Sequence, residues 1–201
     1  MTIRENVYVL LAAIIGLGFT GHLHLTADWI PTVVIGLGAL ATGWVLWIRT
    51  SLKYPTNPKL LLPPYLLTAA LLMLHIAEEY AFDFGNHIAS ITTGKWTTEE
   101  FLWSLGFGFP LIWVFGAYAI AKRNPFGGFA SWFIFCGMLL GEPTHLVLFP
   151  VREIMLHGGG YGYFPGMWTA LAPLVPGVWG IWVILKDTHH QRRQSVAIER
   201  S

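Results

Sequence analysis

The 201-residue chain has little charge, little cysteine and almost no net basicity, and each shortage removes a class of protein. Charged side chains make up 11% of the residues, less than half the share of about 25% found in a soluble domain. Cys136 is the single cysteine, so no disulfide can form within the chain and a secreted disulfide scaffold is excluded. A formal net charge of +1 provides no basic field for a nucleic acid. There is no Rossmann glycine fingerprint, no phosphate loop and no Gly-x-Ser-x-Gly elbow, so nucleotide-dependent and serine-hydrolase chemistry have no support. Internal repeats and low-complexity stretches are also missing. No soluble insert is long enough to fold alone, and residues 1–201 therefore read as one domain.

What the chain has in quantity is apolar surface: 54% hydrophobic residues, a mean hydropathy of +0.55 and ten tryptophans. Apolar runs between charged or Pro/Gly punctuation predict six helices, Val7–Leu23, Trp29–Ile48, Leu60–Glu79, Phe101–Ala121, Phe129–Phe149 and Gly166–Leu185. Each is close to the ~20 residues that cross ~30 Å of hydrocarbon. The expected fold class is all-α, a polytopic membrane helical bundle. Asp28 is placed to cap the second helix, with Pro31 in its first turn, and Thr97-Thr98-Glu99-Glu100 reads as a capping box before the fourth. The first run ends in Thr20-Gly21-His22, a poor cleavage site, and reads as a span rather than a signal peptide. Gly106, Gly108 and Pro110 in the fourth helix, and Pro173 and Pro176 in the sixth, predict bent helices that open a cavity.

The basic residues orient the bundle. With both termini cytoplasmic, the inner segments carry Arg4, Arg49, Lys53, Lys59, Lys122, Arg123, Lys186, Arg192, Arg193 and Arg200, and the outer loops carry Lys95 and Arg152, ten against two. The longer loops, near 80–100 and 150–165, then lie outside.

Ionisable groups at membrane depth are costly and mark function by default. The third helix carries His75-Ile-Ala-Glu78-Glu79, with His75 roughly 22 Å above Leu60, and the fifth carries Glu142-Pro-Thr-His145, roughly 20–24 Å above Phe129. The two sets therefore sit at one depth in the outer half of the bundle. Glu78 and Glu79 follow His75 at three and four positions, and Glu142 precedes His145 by three, so each set projects from one face. Helical bundles present Glu-x-x-His pairs of this kind to a dinuclear iron or manganese site. Imidazole and carboxylate together suit iron, zinc or manganese. The metal-ligand candidates are His75, Glu78, Glu79, Glu142 and His145, and the acid/base candidates are Glu78, Glu79 and Glu142. Three buried anions need a cation or shared protons between them, so a metal site, a protonated acid/base cluster and plain interhelical pairing all stay open. His22, His24, Asp83, His87 and His157 are further polar residues near that level, and Cys136 reads as a small core residue.

Leu74-His75-Ile76-Ala77-Glu78-Glu79-Tyr80-Ala81-Phe82 resembles the signature of the HXXEE family of bacterial integral membrane proteins. Tyr161-Gly162-Tyr163-Phe164-Pro165-Gly166-Met167-Trp168-Thr169-Ala170 resembles that family's second motif, an aromatic-Pro-Gly stretch opening the last helix. The resemblance spans about residues 65–185 and implies a multi-span architecture in a bacterial inner membrane with a polar site, but no reaction. Glu142 stands where the family pattern carries an Asn, which adds a carboxylate to the site of this chain.

Three functions follow as expectations. The first is a metal-dependent membrane enzyme, with one or two ions of iron, zinc or manganese, acting on a lipophilic small molecule that enters from the lipid bilayer. A cofactor-free isomerase or cyclase, with the same carboxylates moving protons, is the second. In the third, a non-enzymatic subunit binds haem or pigment through His75 and His145, or conducts protons.

Overall fold

The computed structural model describes residues 2–27, 29–92, 94 and 96–199 of the chain, and among them every regular element is helical. We number the helices α1 (Ile3–Thr26), α2 (Trp29–Arg49), α3 (Pro58–Ala81), α4 (Phe84–Ile91), α5 (Thr98–Ala121), α6 (Pro125–Leu146), α7 (Leu148–His157) and α8 (Leu171–Glu199). Five stretches are long and apolar enough to cross a membrane: α1, α2, α3, α5 and the continuous run Pro125–His157.

Local chemistry sets the helix starts. Thr2 and Glu5 form a capping box ahead of α1, and Asn57 and Asn124 each accept an amide while Pro58 and Pro125 open the helix behind them. Thr97 and Glu100 form the expected capping box at the head of α5. Asp28, the expected cap of α2, lies outside the described residues, as do Lys95 and Arg200 of the charge count. Inside α2 and α5 the winding widens to an i→i+5 pattern over Thr32–Ala41 and Leu102–Gly108. The amide of Phe109 accordingly reaches back to Ser104 O, and that of Thr42 to Leu37 O. In α5 this absorbs the amide lost at Pro110, so the expected distortion takes the form of wide winding.

The fifth and sixth runs differ most from the sequence expectation, the sixth also continuing past its expected end at Leu185 to Glu199. The fifth apolar run was expected to end at Phe149, but α6 stops at Leu146 and the chain resumes as α7 after Val147, which lies at φ −124° and ψ −61°. The last helix was expected from Gly166 and starts at Leu171. Residues 165–170 instead form turns, because the amides of Trp168 and Thr169 are taken by a carboxylate of α3. The apolar part of α8 is thereby shortened to the fifteen residues 171–185 before Lys186.

α6 is the hub. It packs on α2, α3, α5 and α8 and buries an unbroken run from Phe129 to Cys136. Glycines permit the closest approaches: a Cβ on Gly43 of α2 would lie 3.1 Å from the backbone of Trp132 and Phe133. α1 sits at the edge, burying Ala12 and Leu23 while most of its large apolar side chains stay exposed. At one end of the bundle α4 packs on α7, and the Arg152 guanidinium donates to Ile91 O. Beneath this roof lies the polar cluster.

Candidate metal centre

His75 and Glu79 are one turn apart on α3, and Glu142 and His145 one turn apart on α6. All four side chains are buried and meet where α3 crosses α6. Glu79 Oε1 lies 3.6 Å from His75 Nε2 and 3.5 Å from His145 Nε2. Glu142 Oε2 lies 3.2 Å from His75 Nε2 and has no hydrogen-bond partner among the described residues. One donor atom from each of His75, Glu79 and His145 falls within 4.8 Å of the other two, close enough to share one ion.

The other ring nitrogens fix the tautomers. His145 Nδ1 is 2.8 Å from Pro165 O, a pure acceptor, so Nδ1 carries the proton. His75 Nδ1 is 3.0 Å from Thr169 Oγ1. That hydroxyl donates to Glu78 Oε2 at 2.5 Å, and its lone pair is left to accept from His75 Nδ1–H. Both Nε2 atoms therefore present lone pairs toward Glu79. Lone pairs facing a carboxylate in a dry interior repel unless something positive lies between them. Backbone carbonyls and carboxylate-linked hydroxyls behind the distal nitrogens are also the usual supports of metal-bound imidazole.

Glu78, grouped with these residues by its spacing, faces elsewhere. Its Oε1 accepts from Tyr163 Oη at 2.7 Å and from the amide of Trp168 at 3.1 Å; its Oε2 accepts from the amide of Thr169 at 2.9 Å and from that residue's hydroxyl. The carboxylate is saturated, and it anchors the strap 158–170 across the site. Gly166 of the strap lies at φ +88°, and a Cβ there would fall 2.6 Å from His145 Nδ1 and 2.8 Å from His75 Cε1. Only glycine lets the strap lie against both imidazoles at that angle. The Tyr163 phenol, outside the helices, has its pKa pushed up by desolvation and by its hydrogen bond to the Glu78 charge.

The remaining candidates are scattered. His22 and His24 are exposed on α1. Asp83, at φ 57°, binds Asn86 and Thr98 at the surface, while His87 and His157 are exposed. Cys136 is buried in the core, as expected. The Trp168 ring is largely exposed, tilted against Tyr163 and edge-to-face with Phe82, its amide being the part that serves the site.

Aromatic rings wall the centre from water. Phe84 and Phe149 pack on the His145 ring, at centroid distances of 5.3 and 5.0 Å, and Phe164 closes over both. Toward the middle of the bundle the cluster opens into a cavity of about 110 Å³ between α2, α3, α5 and α6. The walls are apolar, with Phe109, Trp113, Phe133 and Met138 among them, and the widened turns of α2 contribute Val34, Ile35 and Ala39. The polar groups are gathered at one end of an otherwise greasy space.

Sequence reasoning missed Pro165 O, Thr169 and Tyr163 as parts of the centre. The only signal was the aromatic-Pro-Gly stretch, which has no periodicity from which a contact can be drawn. In comparisons with known proteins no family model, no curated protein and no solved structure matches this chain, so the reading of the centre rests on its geometry.

Proposed function

We propose that this chain is an integral membrane enzyme that holds one divalent ion on His75 Nε2, His145 Nε2 and Glu79 and acts on a lipophilic small molecule. The observation that carries the reading is the pair of locked tautomers, each with Nδ1–H committed behind it and an Nε2 lone pair aimed at the same carboxylate. Two imidazoles and one carboxylate suit zinc with an open position, or iron(II) with several. With the oxygens of Glu78 taken, Glu142 is the one further carboxylate of the cluster with an oxygen to spare, too few donors for a second ion, so the proposed centre holds one ion and not a pair. When bound, the ion supplies Lewis acidity toward an oxygen of the substrate.

Glu142 is the residue that would move a proton. Its free Oε2 lies beside the ligand set and lines the cavity in which a substrate head group would lie. A flat macrocycle fits poorly, because the two imidazole rings stand edge to face with centroids 4.7 Å apart and leave no slot between them. The charge asymmetry of the loops supports six crossings with both termini in the cytoplasm, α8 supplying the sixth.

Metal analysis of protein purified without a metal-affinity tag tests the reading. We expect close to one zinc, iron or manganese per chain, and almost none in His75→Ala, Glu79→Ala or His145→Ala. Full metal content in His145→Ala overturns the assignment. A metal-free wild type moves the function to proton sharing between His75 and Glu142, which lie 3.2 Å apart.

A further inference from the structure

Below the site cavity lies a second one, and the two share a wall. The second cavity, about 450 Å³, fills the seam between α1, α5 and α6. Along α6 the lining residues run in order. Phe126, Phe129, Ala130 and Phe133 face the lower space, and Phe133, Ile134, Gly137, Met138 and Gly141 face the upper one as far as Glu142 and His145. On α5, which runs the other way, Phe109 and Trp113 face the upper space, and Ile112, Phe115 and Ala119 the lower. The cavities are thus stacked end to end along one seam. A partition of rings separates them, Phe109 against Phe133 with centroids 5.7 Å apart and Phe19 of α1 against Phe109 at 5.5 Å. From Phe126 to His145 the path is about 28 Å long at the helical rise, nearly twice the depth of one leaflet, roughly 15 Å of a ~30 Å core.

We propose that the two cavities form one channel for a single-chain lipid. Its oxygen-bearing head lies at the His75/Glu79/Glu142/His145 end, and its chain passes Phe109 and Phe133 into the α1/α5 seam, which is also its way in from the bilayer. This deepens the reading above by naming the substrate class, and it rests on that reading for the position of the head.

Three features commit the site to this occupant. Ionisable, amide and hydroxyl groups are gathered at the cluster end, apart from Tyr8, Tyr118 and Asn124 in the lower lining, where the Asn124 amide donates to Tyr8 Oη. The upper space alone, about 110 Å³, is too small for a bulky ring system. The seam is walled on one side by α1, the most weakly buried of the five apolar helices. Transfer from lipid into this channel exchanges one apolar surrounding for another. The channel therefore selects by length and cross-section, and by what the head finds at the cluster, rather than by hydrophobicity.

The test is photolabelling of the full chain in nanodiscs with two probes built on docosanoic acid, whose twenty-two-carbon chain is long enough to span the path, one bearing a diazirine at the chain end and the other beside the carboxyl, with labelled residues mapped by mass spectrometry. The chain-end probe is expected to mark Ile15, Phe115 and Phe126, and the carboxyl-end probe Ile88, Trp96 and Phe149, both suppressed by excess unlabelled docosanoic acid. Ile15→Trp and Ala119→Trp each fill the seam from a half-buried or exposed position away from the cluster. Each is expected to lower the chain-end labelling about tenfold while leaving the labelling by a diazirine-bearing octanoic acid unchanged. Labelling that no competitor suppresses, or that is spread over the lipid-facing side of α1, is annular lipid and overturns the channel, as does labelling untouched by both variants. Metal content measured on the same samples separates the two proposals. Suppressible labelling of a metal-free chain keeps the channel and removes the metal, and a metal-loaded chain with unsuppressible labelling does the reverse.

Discussion

Glu78 and Glu79 are neighbours in sequence and opposites in environment. Glu78 lies on the strap side of α3 and accepts four hydrogen bonds from Tyr163, Trp168 and Thr169. Glu79 lies on the α6 side and faces two imidazole nitrogens that carry lone pairs. The first carboxylate is complete without any ligand; the second is placed where only a cation or a proton makes sense of it. The contrast separates scaffold from site within one helical turn. Spending a full carboxylate on fastening residues 158–170 is understandable, because that strap supplies the Pro165 carbonyl and the Thr169 hydroxyl that orient both histidines.

Exchanging the two carboxylates' chemistry should break the comparison most sharply. Glu79→Ala is expected to abolish metal binding with the fold retained, because a buried charge is removed along with its ion. Glu78→Gln keeps all the ligands and loses part of their support, so metal is retained with affinity lowered about 10–100-fold, as read by chelator competition. Equal loss of metal in both variants would mean that the two carboxylates do one job.

Gly166→Ala comes next in size. The added methyl falls against both imidazoles at a positive φ, so strap and histidines must separate. The expected result is a destabilisation of about 1–3 kcal/mol and weaker metal binding, measured by thermal unfolding with and without added zinc. Gly162→Ala in the same strap would meet only Gly160 O, at an ordinary contact distance of 4.0 Å, and is expected to change neither.

The convergence of His75, Glu79, Glu142 and His145 was legible in the sequence because it needs only helical spacing and a count of depth. The division of labour between Glu78 and Glu79 was not. Positions three and four after His75 lie about 100° apart on the helix, both within reach of a neighbour, and which neighbour each meets depends on the packing of α6 and the strap. The strap's contacts come from turns, which carry no period. The wide winding of α2 was also invisible, since an apolar run fits the normal and the wider helical period equally well, whereas the break at Val147 has a local cause, Pro150, whose missing amide leaves Leu146 O to the Tyr161 hydroxyl. The caps of α5, set by hydrogen bonds within four residues, were readable.

The smallest effect sharpens the contrast from the scaffold side. In the folded chain the Tyr163 phenol stays protonated above its ordinary range because desolvation and the Glu78 carboxylate both oppose a phenolate there. A raised folded-state pKa means that the stabilisation from this hydrogen bond is fully present below the unfolded value of about 10 and is lost as pH rises through the higher folded value. Ultraviolet titration is therefore expected to show one tyrosine ionising later in the wild type than in Glu78→Gln, the difference spectrum vanishing in a Tyr163→Phe background. Tyr163→Phe itself should cost only about 1 kcal/mol, because the phenol is partly exposed and three other donors keep Glu78 in place. If Glu78→Gln leaves the titration of Tyr163 where it was, the carboxylate is not what holds the strap, and the separation of scaffold from site must be drawn elsewhere.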